Sequence, residues 1–141
     1  MKKTALSLML ISGALATTVK AQHKTAHSQN ITEAPLRVVF SHMINNDKVN
    51  NQEVQLVLVK FAPGEISGAH RHPKPAIAYV LEGEIESTFD GKIKRFKKGE
   101  SFYEDPNLLH AETKNLSKTK PAALLVYFIG DKNLPFIKEG K

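Results

Sequence analysis

Short runs of hydrophobic and β-branched residues, separated by turn-forming residues, follow one another along the chain from Leu36 onward. The runs that predict strands are 36–40, 53–61, 76–81, 84–89, 92–96, 101–103 and 122–129. No stretch after residue 35 keeps a 3.6-residue hydrophobic period long enough to predict a substantial helix. Many short strands at regular spacing predict an all-β sandwich or barrel.

One turn in this pattern predicts a specific backbone geometry. Asp90-Gly91 separates two of the predicted strands by only two residues. A type I′ hairpin turn needs positive φ at both central residues, and Asp-Gly is a favoured pair for it. The sequence therefore predicts a tight antiparallel hairpin here.

The first 21 residues follow a different pattern. A basic start, Met1-Lys2-Lys3, precedes an uncharged apolar run at 5–16, and small residues occupy the signal-peptidase positions Val19 and Ala21. The apolar run is shorter than the roughly 20 residues that span a bilayer, which disfavours the alternative of an uncleaved membrane anchor. We therefore expect a signal peptide at 1–21, cleavage after Ala21, and a periplasmic or secreted protein with no membrane association after cleavage.

The mature chain divides into three predicted segments. Residues 22–35 are polar and without period, which predicts a flexible N-terminal lead-in. The strand-rich residues 36–130 form the predicted domain, and 131–141 a C-terminal tail.

Charge and composition narrow the function classes. The 20 Lys+Arg and 14 Asp+Glu give a net charge of +6, and loss of Lys2, Lys3 and Lys20 with the signal peptide reduces it to +3. No Lys/Arg stripe with interleaved aromatics remains, so a nucleic-acid partner is not expected. The chain has no Cys, which excludes thiolate metal sites, Cys nucleophiles and disulfides. Any chemistry must come from His, carboxylates, Tyr or Ser.

His70-Arg71-His72 is the first candidate site. Residues two apart in a strand point to the same face, so these two imidazoles could chelate one metal ion. On its own, an H-x-H in a basic loop is more often solvated than ligating. The surrounding frame favours ligation: Gly64 lies six positions earlier, Pro73 follows directly, and Tyr79 to Gly83 close the segment.

A second block contains Gly99, Pro106, His110 and Asn115. With this block the chain resembles the cupin family, whose motifs are G-x5-H-x-H-x3,4-E-x6-G and G-x5-P-x-G-x2-H-x3-N. The resemblance covers about residues 36–130. It implies an all-β fold, a small antiparallel jelly-roll (cupin) β-barrel, with a divalent metal such as Fe(II), Mn, Zn or Ni held by His70, His72 and His110 in the barrel mouth.

The sequence departs from the cupin motifs at informative positions. Ala76 stands where the motif glutamate is expected, and Glu104 and Asp105, just before Pro106, are candidates for a replacement carboxylate. Asn107 replaces a turn glycine, which is tolerable because Asn accepts positive φ. Asn115 comes one residue later than the pattern requires, and one extra residue separates Gly99 from Pro106, which suggests small loop variations.

Other histidines and the tyrosines are weaker candidates for the site. His42 could face the barrel, but a lone His beside Met43 is more often a surface or partly buried residue. His23 and His27 fall in the predicted lead-in. The three tyrosines, Tyr79, Tyr103 and Tyr127, are expected to be wall or core residues.

Three functions stay open at this point, because the cupin fold alone fixes no reaction. A three-His site resembles that of cupin thiol or diketone dioxygenases, where substrate and O₂ take the open positions on Fe(II). The second reading is a redox-neutral isomerase or lyase that uses the metal as a Lewis acid, and the third is a non-catalytic cupin that binds a small molecule. The sequence identifies no catalytic residue. The resemblance also implies a homodimer, since small cupins commonly pair barrels through edge strands.

Overall fold

The computed structural model describes residues 36–140 as ten strands. The predicted signal peptide (1–21) and lead-in (22–35), with His23 and His27, lie outside the described residues. The strands are β1 (Leu36–Ile44), β2 (Gln52–Phe61), β3 (His70–Arg71), β4 (Ala76–Glu82), β5 (Glu84–Phe89), β6 (Lys92–Lys97), β7 (Ser101–Glu104), β8 (His110–Asn115), β9 (Ala122–Asp131) and β10 (Lys138–Glu139). Residues 36–140 contain no helix, and hence none that could cross a bilayer.

The strands form two five-stranded antiparallel sheets. One sheet has the order β1-β2-β9-β4-β7, and the other has the order β10-β3-β8-β5-β6. Several neighbours within each sheet are distant in sequence, as expected when a jelly roll winds the chain through two sheets. The predicted all-β antiparallel barrel is confirmed.

The turn chemistry also agrees with prediction. Asp90 and Gly91 have φ values of 48° and 69°, so the β5–β6 hairpin has the predicted pair of positive φ angles. Asn107 has a φ of 64° at the position where the motif has glycine. At Gly83, φ is 80° and an added Cβ would lie 2.7 Å from the Cβ of Ala122, so the motif glycine is required by both conformation and space.

Strict alternation along β4 and β9 places the core between the sheets. On β4, Ala76, Ala78 and Val80 are buried, whereas Ile77 and Tyr79 are exposed. The buried cluster is completed by Val57, Phe61, Ile85, Ala122, Leu124, Val126 and Phe128. Because two of the inward positions on β4 are alanines, this wall is thin and leaves room for a cavity.

The tyrosine prediction is wrong for two of the three residues. Tyr79 and Tyr103 are 42% and 52% exposed, because each occupies the outward position of its strand. Ile77 and Tyr103 are cross-strand partners on this outer face. Tyr79 and Tyr103 therefore do not reach the barrel interior.

Three strands have no counterpart among the predicted runs. β8 (HAETKN) is polar, so it lacks the hydrophobic alternation that marks a strand, yet it pairs with β5 through five residues. β3 has only two residues. β10 lies within the predicted tail, where Lys138 and Glu139 pair with Arg71 and His70.

Candidate metal centre

Two adjacent strands of one sheet, β3 and β8, and the segment after β3 bring the three predicted histidines together. His70 on β3 and His110 on β8 are cross-strand partners, and His72 follows β3 directly. Each offers a ring nitrogen, and the three nitrogens lie within 4.8 Å of one another. His72 and His110 are buried and His70 is partly buried. His42 is exposed on β1 beside Phe40, as the more ordinary expectation had it.

Backbone carbonyls set the protonation of two of these rings. Nδ1 of His70 lies 2.8 Å from the carbonyl oxygen of Gly68, and Nδ1 of His72 bonds the carbonyl oxygen of Phe136. A carbonyl only accepts, so each Nδ1 carries the proton and donates it. In the neutral rings, the lone pair is therefore on Nε2. Metal-bound histidines are oriented in the same way in proteins generally.

The two Nε2 atoms face each other at 3.2 Å. Two unprotonated nitrogens at this distance repel, unless a cation lies between them. Two nitrogens bound about 2.1 Å from one ion, at an angle of about 90–110°, lie roughly 3.0–3.4 Å apart. The observed separation therefore fits a pair of ligands that share a divalent ion.

His110 presents its other nitrogen to the cluster. Its Nε2 lies 2.7 Å from Oγ1 of Thr113 and 3.1 Å from Oγ of Ser87. Its Nδ1 is buried and has no hydrogen-bond partner within residues 36–140. When Nε2 donates to a hydroxyl, Nδ1 keeps a free lone pair. A buried nitrogen with a free lone pair beside two others fits a three-nitrogen metal site.

A β-bulge places Thr113 beside His110. The β5–β8 register pairs Thr88 with Glu112 and Phe89 with His110, so Ala111 is the extra residue. Without the bulge, residues 110 and 113 would point to opposite faces. The same bulge explains why Asn115 comes one residue late in its motif: the extra residue lies within β8 and not in a loop, and Asn115 still faces inward, fully buried.

Glu104 brings a carboxylate to the cluster, whereas Asp105 does not. Oε2 of Glu104 lies 3.1 Å from Nε2 of His72, and Oε1 lies 3.0 Å from Nδ1 of His110. Burial favours a raised pKa for this carboxyl, but when the His110 and His72 rings carry a second proton, their hydrogen bonds and charge outweigh burial and lower its pKa to about 2. Glu104 is therefore an anion at neutral pH. Asp105 is exposed.

Burial acts in the opposite sense on His70. Desolvation lowers the pKa of its ring, and the neighbouring His110 and His72 lower it further. The bond to Gly68 and the charge of Glu104 offset part of this effect. His70 is therefore neutral at physiological pH, which is the state a metal ligand needs.

A cavity of about 440 Å³ opens from the cluster into the barrel. Its walls are mainly hydrophobic and aromatic: Leu36, Val57, Val59, Phe61, Ile66, Ala78, Phe102, Leu124, Val126, Phe128, Phe136 and Ile137. The charged or ionisable lining residues, besides the three histidines, are Lys60, Glu65, Glu104 and Glu139. The volume and chemistry suit a small organic molecule with its polar end towards the histidines.

Sequence reasoning missed three groups that support the cluster. Ser87 and Thr113 contact His110 through hydroxyls, and their polar, alternating strand context resembles any solvent-facing sheet. Phe136 contributes its main-chain carbonyl to His72, while its ring stacks on Phe128. A main-chain acceptor carries no side-chain signature, so only its position before β10 could have drawn attention to it.

Comparison with known proteins places the chain among proteins that share this architecture. It is 36% identical over 86 residues to the germin-like protein subfamily 2 member 4 of Arabidopsis thaliana, an alignment that covers 57% of this chain and 39% of the relative. The chain thus spans about two fifths of the length of the curated relative it matches.

Two solved structures are similar in fold. An oxalate oxidase structure aligns with a TM-score of 0.53 and 28% identity over 61% of this chain and 45% of that one. An RmlC-like cupin from Shewanella frigidimarina aligns with a TM-score of 0.51 and 26% identity over 60% of this chain and 72% of that one. A family model described as the cupin domain matches residues 57–128, more than half of the 141 residues. The fold, both histidine motifs and this match agree, and the chain belongs to the cupin family.

Proposed function

We propose that this protein is a metal-dependent cupin oxidoreductase, most concretely a non-haem iron dioxygenase. His70, His72 and His110 are its metal ligands, and a small organic molecule in the cavity is its substrate. The observation that carries the proposal is the convergence of three nitrogen lone pairs, two of them fixed by N–H donation to carbonyls.

The residues around the site have distinct tasks in this proposal. The carbonyls of Gly68 and Phe136 hold His70 and His72 as neutral ligands aimed at one point. The hydrophobic walls bind the substrate and exclude water from it. A bound iron would supply the activation of dioxygen that protein side chains lack.

The cavity favours an apolar substrate. Three of its four charged or ionisable lining residues besides histidine are carboxylates, and most of the wall is hydrophobic or aromatic. A small dianion such as oxalate would lose its hydration in this mainly apolar cavity, a cost that the bound cation alone would have to offset. We therefore propose a neutral or weakly polar substrate of aromatic size, in contrast to the oxidase named among the similar structures.

We also propose that the protein is exported and dimeric. The basic start and the apolar run that precede Ala21 support removal of 1–21, and intact mass of the native protein tests the expected start at Gln22.

The proposed homodimer is supported by the outer face of β4 and β7, where Ile77, Tyr79 and Tyr103 are exposed hydrophobic residues. Sedimentation equilibrium tests the dimer.

Oxygen consumption tests the reaction class. The iron-loaded protein is presented with thiols, diketones and flavonols in an oxygen electrode, with chelator-treated protein and the His72→Ala variant as controls. We expect oxygen uptake with an apolar member of the panel, lost in both controls. Turnover without oxygen uptake that is lost on chelation would replace the dioxygenase with an isomerase or lyase. Equal ligand binding with and without metal, and no turnover, would leave a binding protein.

A further inference from the structure

We propose that Glu104 on β7 supplies the anionic metal ligand that Ala76 on β4 cannot. In this arrangement the carboxylate lies on the strand next to the one that carries it in the cupin motif, and the site still contains one negative charge. The inference rests on the proposed metal site and adds a fourth protein ligand to it.

The strand register explains how the exchange is sterically possible. Ala76 and Glu104 are directly opposed in the β4–β7 pair, and both are buried. Opposed residues in an antiparallel pair point to the same face, with Cβ atoms about 4.5–5.5 Å apart. A carboxylate on either strand can therefore enter the same space. The methyl group of Ala76 leaves that space free.

The position of the carboxylate matches a ligand more closely than an ordinary ion-pair partner. Oε2 of Glu104 lies 3.1 Å from Nε2 of His72, which itself lies 3.2 Å from Nε2 of His70. With the protons on Nδ1, these three atoms are all acceptors. Each of these two distances is the one expected between neighbouring ligands of a single ion, so the three acceptors indicate a shared cation.

The contact between Glu104 and His110 also supports the assignment of Glu104 as a metal ligand. Oε1 of Glu104 lies 3.0 Å from Nδ1 of His110, yet this nitrogen makes no hydrogen bond among the described residues. The two atoms are close without a proton directed between them. Both would be satisfied by an ion that they bind together.

Charge supplies the physical reason for keeping a carboxylate here. Three neutral imidazoles leave a divalent ion with its full charge inside a mainly hydrophobic cavity, where charge is costly. One carboxylate offsets half of it. With four protein ligands, an octahedral ion keeps two positions for small molecules.

The test compares Mn(II) affinity, measured by calorimetry and by the EPR signal of the bound ion. The variants are Glu104→Gln, which keeps the shape and removes the charge, and the exchange Ala76→Glu with Glu104→Ala, which returns the carboxylate to β4. Asp105→Asn is the matched control, because it removes the same charge one residue away at an exposed position.

We expect Glu104→Gln to weaken Mn(II) binding at least about tenfold and to change the EPR spectrum, since even groups that only support metal ligands contribute 10–100-fold. Asp105→Asn should bind like the parent, and the exchange variant should recover most of the affinity. Equal affinity in Glu104→Gln and the parent would overturn the proposal and show that Glu104 only pairs with protonated histidines. A folded exchange variant that binds as weakly as Glu104→Gln would also overturn it. If the exchange variant does not fold, the comparison of Glu104→Gln with Asp105→Asn decides. A parent that binds no divalent ion would instead overturn the proposed function.

Discussion

At the scale of single residues, the site depends on which nitrogen of each ring carries a proton. Main-chain carbonyls place that proton on Nδ1 of His70 and His72. The hydroxyls of Ser87 and Thr113 accept from Nε2 of His110 when that nitrogen carries the proton, and Nδ1 then keeps its lone pair. Loss of the Phe136 carbonyl would leave the buried Nδ1–H of His72 unsatisfied, which costs about 1–3 kcal/mol. The rings are thus oriented for metal binding before an ion is bound.

Glu104 predicts a pH dependence of stability in the metal-free protein. Beside His110 and His72 rings that donate to it, its pKa falls from 4.5 to about 2 on folding, so the unfolded chain takes up this proton first as the pH falls. The folded state therefore has an advantage of about 3 kcal/mol above pH ~4.5, which disappears between pH ~4.5 and 2. Urea unfolding of the chelator-treated protein at several pH values measures it.

Glu104→Gln removes the titrating group and should flatten this part of the pH profile. At neutral pH the variant should be less stable than the parent, and the two curves should converge in acid. Asp105→Asn, at an exposed position, should follow the parent throughout. Parallel curves for the parent and Glu104→Gln would contradict the assignment.

At the scale of the elements, the β8 bulge decides which side chains reach the interior. Ala111 is the extra residue, and it lets His110, Thr113 and Asn115 share one face. The amide of Asn115 donates to the carbonyls of Ala62 and Lys120 at 3.0 and 2.9 Å, and thereby joins two loops to the strand. The spacing of residues along β8 therefore determines which side chains face the interior, more than the hydrophobicity of the strand does.

Deletion of Ala111 should be tolerated for this reason. It would remove the bulge, and ordinary alternation would still place His110, Thr113 and Asn115 on the inner face. We expect a loss of no more than about 2 kcal/mol in the free energy of unfolding, because the ladder hydrogen bonds are preserved.

Deletion of Lys114 is the matched control. It would turn the buried Asn115 outward and remove the three hydrogen bonds that its side chain makes to Ala62, Lys120 and Ser117. At about 1 kcal/mol for each bond, the loss should be at least about 3 kcal/mol. Denaturant titration of both deletions checks this. A stable Lys114 deletion beside an unfolded Ala111 deletion would show that the bulge has another role.

The elements also show what the sequence could and could not predict. The strands with clear alternation, such as β4 and β9, and the Asp90-Gly91 turn were predictable because local chemistry determines them. β8 was not, because its polar residues face a polar site and resemble a loop. Glu104 was only one of two candidates, since its proximity to the histidines depends on the β4–β7 register.

At the scale of the whole molecule, two sheets enclose a hydrophobic cavity with the histidine cluster in its wall. The two cupin motifs made the barrel and the three histidines predictable. The apolar character of the cavity was not, because it comes from β2, β4 and β9 together. The contribution of the C-terminal segment was not predictable either, because it consists of the Phe136 carbonyl and the pairing of β10 with β3.

The metal content of the folded protein tests the central claim most directly. The protein is reconstituted separately with Fe(II), Mn(II), Zn(II) and Ni(II), and native mass spectrometry and thermal unfolding are recorded for the parent, His72→Ala and the exposed control His42→Ala. We predict one divalent ion per chain in the parent and in His42→Ala, with a metal-dependent gain of about 4 kcal/mol at 1,000 times the dissociation constant. His72→Ala should lose the ion and most of that gain. A parent that takes up none of the four ions, or a His72→Ala variant that binds and melts like the parent, would contradict the account.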